Sequence, residues 1–210
     1  MTKFLTLFLM SGLVAVMFTF GQDNKPKVVS SSNLRLTQIA GKKLFALKKC
    51  TDCHTLAAQT DGKLTPVTNK RSADWFAAHV EKESEIVLRQ ETSDRKRRRV
   101  LQDEILALDD YLYQRKIEER KQIEAMPRNV FEGAYLLYQN NCLNCHIIAD
   151  EGKDIGPNLT QVGSKRDKTW FLANLKNPQQ FAPESVMPKF DTLPAETLEK
   201  MADYLTTLKK

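Results

Sequence analysis

Apolar residues recur every three or four positions in two separate parts of the chain. This spacing places the residues of each part on one face of a helix. The two sets are Leu101, Ile105, Leu108 and Leu112 in the first half, and Leu198, Met201, Leu205 and Leu208 in the second. The pattern therefore predicts one amphipathic helix near the end of each half, with its apolar face turned to a core.

The N-terminal apolar segment has a different pattern. Lys3 is followed by an uncharged run from Phe4 to Gly21, and the first acidic residue is Asp23. Such a run is typical of a secretory signal peptide, and it is also long enough to act as an uncleaved membrane anchor. Both alternatives put the rest of the chain in the periplasm or at the outer face of the cytoplasmic membrane. We assign residues 1–21 to this segment and residues 22–34 to a linker.

The sequence around the two amphipathic helices is repeated. Three segments of the first half have counterparts in the same order and at similar spacing in the second. The predicted domains are residues 35–126, which include a charged helical connector, and residues 127–210. The connector is expected to end before Pro127, because proline disfavours helix at the residue before it. The repeated pairs are Gly41–Phe45 with Gly133–Leu137, Trp75–Ala78 with Trp170–Ala173, and Asp110–Leu112 with Asp203–Leu205.

All the cysteines belong to two C-x-x-C-H motifs, Cys50–His54 and Cys142–His146. This motif is typical of covalent haem attachment, in which each thiol bonds a vinyl group and the histidine binds the iron. The alternatives are a zinc site and a thioredoxin-like pair, but zinc would leave both histidines unexplained and a redox pair would not need two copies. We therefore expect two haem c groups. Their attachment residues are Cys50, Cys53, Cys142 and Cys145, and their proximal ligands are His54 and His146.

With these motifs the chain resembles the class I cytochrome c family, duplicated as in diheme cytochromes c. Four segments of the second half carry the resemblance: Gly133–Tyr138, which resembles the family's N-terminal helix that crosses the C-terminal one, Gly156–Leu159, the helix Trp170–Lys176, and Val186–Pro188. The resemblance implies an all-α fold of two tandem class I cytochrome c-like domains. Each domain is expected to wrap around one covalently bound haem, and a helical connector is expected to join the two.

The resemblance also implies roles for individual residues. Met187 is expected to be the sixth ligand of the second haem, because a thioether is a soft, neutral ligand that raises the potential. Met201, the competing methionine, belongs to the apolar face of the last helix and is expected in the core. The carbonyl groups of Pro66 and Pro157 are expected to accept the Nδ1 proton of the proximal histidines.

The first half has no methionine at the equivalent position, since none lies between Cys53 and Met126. His79 is the one histidine outside the two attachment motifs. It corresponds to Asn174, on the helix that faces the distal side of the haem in the resembling family. His79 is therefore the first candidate for the sixth ligand of the first haem, with Lys96, another lysine or a five-coordinate iron as alternatives. Two imidazole ligands would give this haem the lower potential.

The chain is basic, with a formal net charge of +6, and consecutive cations occupy positions 95–99. Two interpretations of this run stay open: a docking patch for an acidic redox partner, and a solvated loop balanced by nearby carboxylates. We expect redox protein partners that are acidic or membrane-bound, and N-terminal anchoring is one of the two alternatives above. Nucleic-acid binding is not expected in an exported haem protein.

These features predict an exported diheme c-type cytochrome that transfers single electrons between redox partners, alone or as a subunit of a respiratory oxidoreductase. The sequence contains no evident paired carboxylates, nucleophile or phosphate-binding loop, so no catalytic residue and no enzymatic activity of its own are expected. The alternatives are a peroxidase-like enzyme and a gas-binding sensor, both of which would use an open sixth position at the first haem.

Overall fold

The computed structural model describes residues 30–50, 78–80, 94–112 and 117–210 of the chain. These residues are mostly helical, which agrees with the predicted all-α, cytochrome c-like fold. Short 3-10 turns lie at Cys142–Asn144, Val162–Ser164 and Pro178–Gln180, and a small antiparallel hairpin consists of β1 (Ile147–Ile148) and β2 (Glu151–Gly152). The helices are α1 (Leu36–Leu47), α2 (Asp94–Leu112), α3 (Ile117–Glu124), α4 (Arg128–Gln139), α5 (Lys168–Lys176) and α6 (Ala195–Thr207).

Two pairs of helices cross at glycine residues, one pair in each half. Gly41 of α1 lies against the carbonyl oxygen of Ala107 in α2, and a Cβ atom at position 41 would overlap that oxygen. Gly133 of α4 lies in the same way against the carbonyl oxygen of Lys200 in α6. The two backbones approach too closely at each crossing for any side chain larger than hydrogen. Gly41 and Gly133, which begin the repeated pair Gly41–Phe45 and Gly133–Leu137, therefore occupy equivalent packing positions.

The predicted amphipathic helices are confirmed, and their apolar faces are turned inward. In α2, Leu108 is buried, and the other three predicted positions are partly buried against the same cluster. In α6 the predicted face is buried along its whole length, and it continues into the residue that follows the helix. The buried residues of this face are Leu198, Met201, Leu205 and Leu208.

Each half also contributes side chains to the core of the other. Leu34 and Leu36 precede and begin α1, yet they are buried in the cluster built on α4, α5 and α6. In the opposite direction, Tyr135 of α4 is buried among the residues of α1 and α2. Its ring stacks on Tyr138, which contacts both clusters. The two halves therefore share a packed boundary, and the last residues of the predicted linker are part of it.

Helix α3 lies within the charged stretch predicted as a connector, and residues 113–116 between α2 and α3 lie outside the described residues. Helix α3 ends at Glu124 and α4 begins after Pro127, as the sequence indicated. Ile123 is fully buried in the cluster of the second half. Glu124 forms an ion pair with Lys42 of α1, with 2.9 Å between Oε2 and Nζ. The connector is therefore packed against both halves.

The basic run at residues 95–99 forms the beginning of α2, so the interpretation of this segment as a loop is wrong. Arginine and lysine are good helix formers, and their long side chains keep the charged groups in water. Arg95, Lys96, Arg98 and Arg99 are all exposed. The run is therefore a solvated cationic surface on a helix.

Among the helices of the described residues, none is long and apolar enough to cross a membrane. The predicted signal peptide or anchor, residues 1–21, lies outside the described residues. Cys53, His54 and Pro66 of the first half also lie outside them.

Candidate functional site

The second C-x-x-C-H motif begins where α4 ends. Asn141 adopts a left-handed conformation with a φ of 58°, which turns the chain out of the helix and into the 3-10 turn Cys142–Asn144. The amide of His146 then donates to the carbonyl of Cys142 at 2.9 Å. Both cysteines are free thiols, and burial raises the pKa of Cys142 to about 12. The turn therefore places a half-buried thiol, an exposed thiol and an imidazole within five consecutive positions.

The imidazole of His146 is held by the segment after the hairpin. Its Nδ1 atom lies 2.8 Å from the carbonyl oxygen of Pro157. A carbonyl oxygen can only accept, so Nδ1 is the donor and the lone pair of Nε2 is left for a metal. Gly156 lies against the ring, and a Cβ atom there would come within 2.7 Å of Cε1. The orientation and the tautomer of His146 are thus fixed by two consecutive residues of this segment.

The hairpin between these two elements fixes the backbone of the motif. Ile148 of β1 is fully buried in the core. Gly152 of β2 has a φ of 102° and lies so close to the carbonyl oxygen of His146 that a Cβ atom would overlap it. The amide of Leu159 donates to the carbonyl of Ile147 at 2.8 Å. His146 is therefore tied to the core through the residues that directly follow it.

A second loop holds Met187. The side-chain amide of Gln179 donates to the carbonyl oxygens of Ser185 and Met187, at 2.9 and 3.0 Å. The backbone amide of Met187 contacts the hydroxyl of Ser185 at 3.3 Å, and Asn174 Nδ2 lies 3.9 Å from Met187 Sδ. Met187 is half-buried, whereas Met201 is fully buried in the core. The loop that bears Met187 is therefore held by Gln179 through two backbone carbonyls, and Asn174 contacts the sulfur.

Sequence reasoning missed Gln179 and Ser185. Their contacts are made by side chains with loop carbonyls and amides, and no spacing rule predicts such contacts. The cap of α5, in which Asp167 accepts from the amide of Trp170 at 2.8 Å, can by contrast be recognised from the sequence. An aspartate three residues before the first apolar position of a helix is a recognisable signal.

The residues of this region fit a covalently bound porphyrin. Two thiols, an imidazole with a free lone pair and a thioether are the donors that such a group uses. Large apolar side chains are exposed beside them: Ile155 next to Gly156, Val186 next to Met187, and Phe181 against the ring of Trp170. An apolar macrocycle is the kind of surface that such side chains would cover.

The first half is described only in part. Cys50 is half-buried and packs against the cluster of α1 and α2. Two residues before it, Lys48 forms a buried ion pair with Glu104, with 2.6 Å between Nζ and Oε2. His79 is half-buried beside the buried Val80. Cys50 and His79 therefore both lie at the margin of the same core.

Comparison with known proteins relates the second half to haem proteins. Residues 151–209 match the family described as Cytochrome C oxidase, mono-heme subunit/FixO. The chain is also 27% identical over 86 residues to cytochrome c oxidase subunit 2 of Alkalihalophilus pseudofirmus, across 37% of this chain. It spans about a quarter of the length of that relative. No solved structure matches the chain.

The family match and the helical fold support a c-type cytochrome, which carries haem c and transfers electrons. The matched residues include Pro157 and Met187 and begin after the second C-x-x-C-H motif. The relative and the family both carry the name of a cytochrome c oxidase subunit.

Proposed function

We propose that the chain is an exported diheme cytochrome c that passes single electrons between redox partners. The observation that carries the proposal is the second-half site, in which His146 is oriented through Nδ1 and Met187 is held by Gln179. The first half bears the same C-x-x-C-H motif, so the same attachment chemistry is available there.

Tandem domains at residues 35–126 and 127–210 explain the two glycine crossings. Gly41 and Gly133 open the same repeated segment, and each lies against a backbone carbonyl of the predicted amphipathic helix of its own half. A duplicated domain would preserve such a contact because no other residue fits there. The segment 22–34 leads into the first domain, and its last residues pack on the second.

In the second domain, His146 and Met187 are the proposed ligands of the iron. A thioether favours the ferrous state, so this haem has the higher potential. In the first domain, Cys50, Cys53 and His54 hold the first haem c group, Pro66 orients His54, and His79 provides the sixth ligand. Two imidazoles favour the ferric state, so electrons rest mainly on the haem of the second domain.

The contact between Asn174 and Met187 supports the assignment of His79. Asn174 Nδ2 lies 3.9 Å from the Met187 sulfur, so the side chain at this helix position reaches the sixth ligand. His79 occupies the corresponding position in the first domain. A longer imidazole at that position can take the place of the methionine that the first domain lacks.

The proposed location is the periplasm or the outer face of the cytoplasmic membrane, with the N-terminal segment as a signal peptide or an anchor. The proposed partners are membrane-bound respiratory proteins, and the names of the matched proteins favour a role as an oxidase subunit. The exposed cations at the start of α2 suit an acidic partner, since charge complementarity mainly raises the association rate.

Replacing His79 by alanine tests the proposed sixth ligand of the first haem. The wild type is expected to contain two low-spin haems, and H79A is expected to convert one of them to a high-spin form that binds carbon monoxide. Lys96→Ala, the matched control for the competing ligand, is expected to leave both haems low-spin. Absorption and electron paramagnetic resonance spectra of the three proteins measure this.

A wild type with one high-spin haem that binds carbon monoxide or peroxide rapidly would contradict the carrier function. It would favour the peroxidase-like or gas-binding alternative.

A further inference from the structure

Glu151 of the second half reaches the beginning of α1 in the first half. Its Oε1 atom accepts from the backbone amide of Thr37 at 3.0 Å, and its Oε2 atom lies 2.6 Å from the Thr37 hydroxyl. The same hydroxyl lies 2.5 Å from Oδ2 of Asp110 in α2. One threonine hydroxyl thus stands between two carboxyl groups that come from different halves.

The hydrogen atoms available do not satisfy both short contacts if both carboxyl groups are ionised. A threonine hydroxyl has one hydrogen to donate, and an ionised carboxylate can only accept. One carboxyl group must therefore carry a proton and donate to the Thr37 oxygen. Arg35 forms an ion pair with Asp110, with 3.0 Å between Nη1 and Oδ1, and among the described residues no cation pairs with Glu151 in this way. The proton accordingly falls on Glu151.

Some of the groups around Glu151 raise its pKa and others lower it. Burial is the largest effect and raises the pKa of Glu151, and the charge of Asp110 raises it further. The Thr37 hydroxyl and the backbone amides of Thr37 and Leu36 act in the opposite direction, but the net shift is upward. The neutral form of Glu151 is therefore favoured beyond the ordinary range of a glutamate.

The other groups that face this position bring no compensating positive charge to Glu151. Arg35 pairs with Asp110 and also with Asp150, at 2.9 Å between Nε and Oδ1. From α4 and α6 come the tyrosine hydroxyls of residues 138 and 204. Within the described part of the chain these two hydroxyls are buried without a hydrogen-bond partner. Burial is the largest effect on both tyrosines and raises the pKa of each, so both are neutral groups there.

We propose that Glu151 is a proton-binding site at the boundary of the two halves. The proton lies on Oε2 and is donated to Thr37 Oγ1, whose own hydrogen is donated to Oδ2 of Asp110. Glu151 keeps this proton at pH values at which exposed carboxyl groups are ionised. Its release leaves two negative charges on either side of the Thr37 hydroxyl and weakens the contact between the halves. The site does not depend on the number of haems.

The pH dependence of unfolding tests this site. Because the folded-state pKa of Glu151 is raised, its contribution to stability is complete below the unfolded-state pKa and is lost as the pH rises through the folded-state value. E151Q reproduces the protonated carboxyl, since its amide nitrogen can donate to Thr37 Oγ1. As the pH rises from the unfolded-state pKa towards the raised folded-state pKa, the unfolding constant of the wild type is expected to rise relative to E151Q, by up to about tenfold per pH unit.

The measurement is urea unfolding of the full-length holoprotein, followed by haem absorption and tryptophan fluorescence. Glu196→Gln is the matched control, because Glu196 is an exposed carboxyl whose pKa is lowered by Lys200, and it is expected to give no such rise. The proposal would be overturned if E151Q were less stable than the wild type at the highest pH, and if the difference in the free energy of unfolding grew in favour of the wild type as the pH rose. Glu151 would then be an ionised cap of α1.

Infrared spectroscopy provides a second measurement on the folded wild type. A protonated carboxyl gives a carbonyl stretching band that ionised carboxylates lack, and the band moves when the protein is transferred to heavy water. We expect this band at about pH 6, where exposed carboxyl groups are ionised, and its loss in E151Q. A wild type without the band would overturn the proposal even if E151Q did not fold.

Discussion

Replacing Met187 by alanine is expected to convert the haem of the second half from a low-spin to a high-spin form and to lower its midpoint potential. The thioether is the ligand that favours ferrous iron, and alanine provides no donor in its place. Axial ligands set haem potentials over a range of about 0.8 V, so a fall on the order of 0.1 V or more is expected. Absorption spectra and a potentiometric titration of the purified protein measure both effects.

Met201→Leu is the matched control for this change. Met201 is fully buried in α6, and leucine has nearly the same volume. This variant is expected to keep the wild-type spectrum and both potentials. If M187A kept the low-spin spectrum and the potential of the wild type, the assignment of Met187 as the sixth ligand would be wrong. A change in the spectrum and potential of Met201→Leu would then identify Met201 as the ligand.

Replacing Gly133 by alanine is expected to destabilise the protein by about 1–3 kcal/mol, because the added methyl group would overlap the carbonyl oxygen of Lys200. That oxygen belongs to the backbone of α6, so the two helices must move apart and the core around Tyr204 must open. Urea unfolding of the holoprotein at constant pH measures the free energy of unfolding.

Gly41→Ala is the companion variant, and it is expected to destabilise the first half through the same kind of overlap with Ala107. An ordinary glycine in the interior of a helix would behave differently, since alanine at such a position raises stability by roughly 0.5–1 kcal/mol. A gain in stability in either variant would show that the helices of that half do not cross at the glycine.

The part of the fold that depends on local pattern could be predicted from the sequence. The apolar stripe ending at Leu208 and the break at Pro127 follow from spacing and from the chemistry of single residues. The helix from Trp170 is implied by the family resemblance instead, and in the structure it begins at Lys168. The charge of the basic residues 95–99 allows a solvated loop as one of two interpretations, the other being a docking patch. Their high helix propensity is what the structure follows.

Local pattern could not predict that side chains of each half are buried in the core of the other. Tyr135 and Leu36 are apolar positions of ordinary helices, and their periodicity says that they are buried but not against which half. The same is true of Glu151, whose contact with Thr37 joins residues far apart in sequence. Long-range partners are set by how the two halves pack, and that information is spread over many residues.

The candidate site shows the same division. The attachment residues and Met187 are recognisable because haem chemistry restricts their type and order. Gln179 holds the carbonyls of Ser185 and Met187 through an amide that many other residues could have replaced. Such supporting contacts carry no motif, so they become visible only when the loop is seen in three dimensions.

The number of haems covalently attached to one chain is the most direct test of this account. Intact-mass spectrometry of the purified, denatured protein counts them, because thioether-bound haem stays on the chain when the fold is lost. We expect the mass of the processed chain plus two haems. A mass increase of one haem would contradict the diheme function.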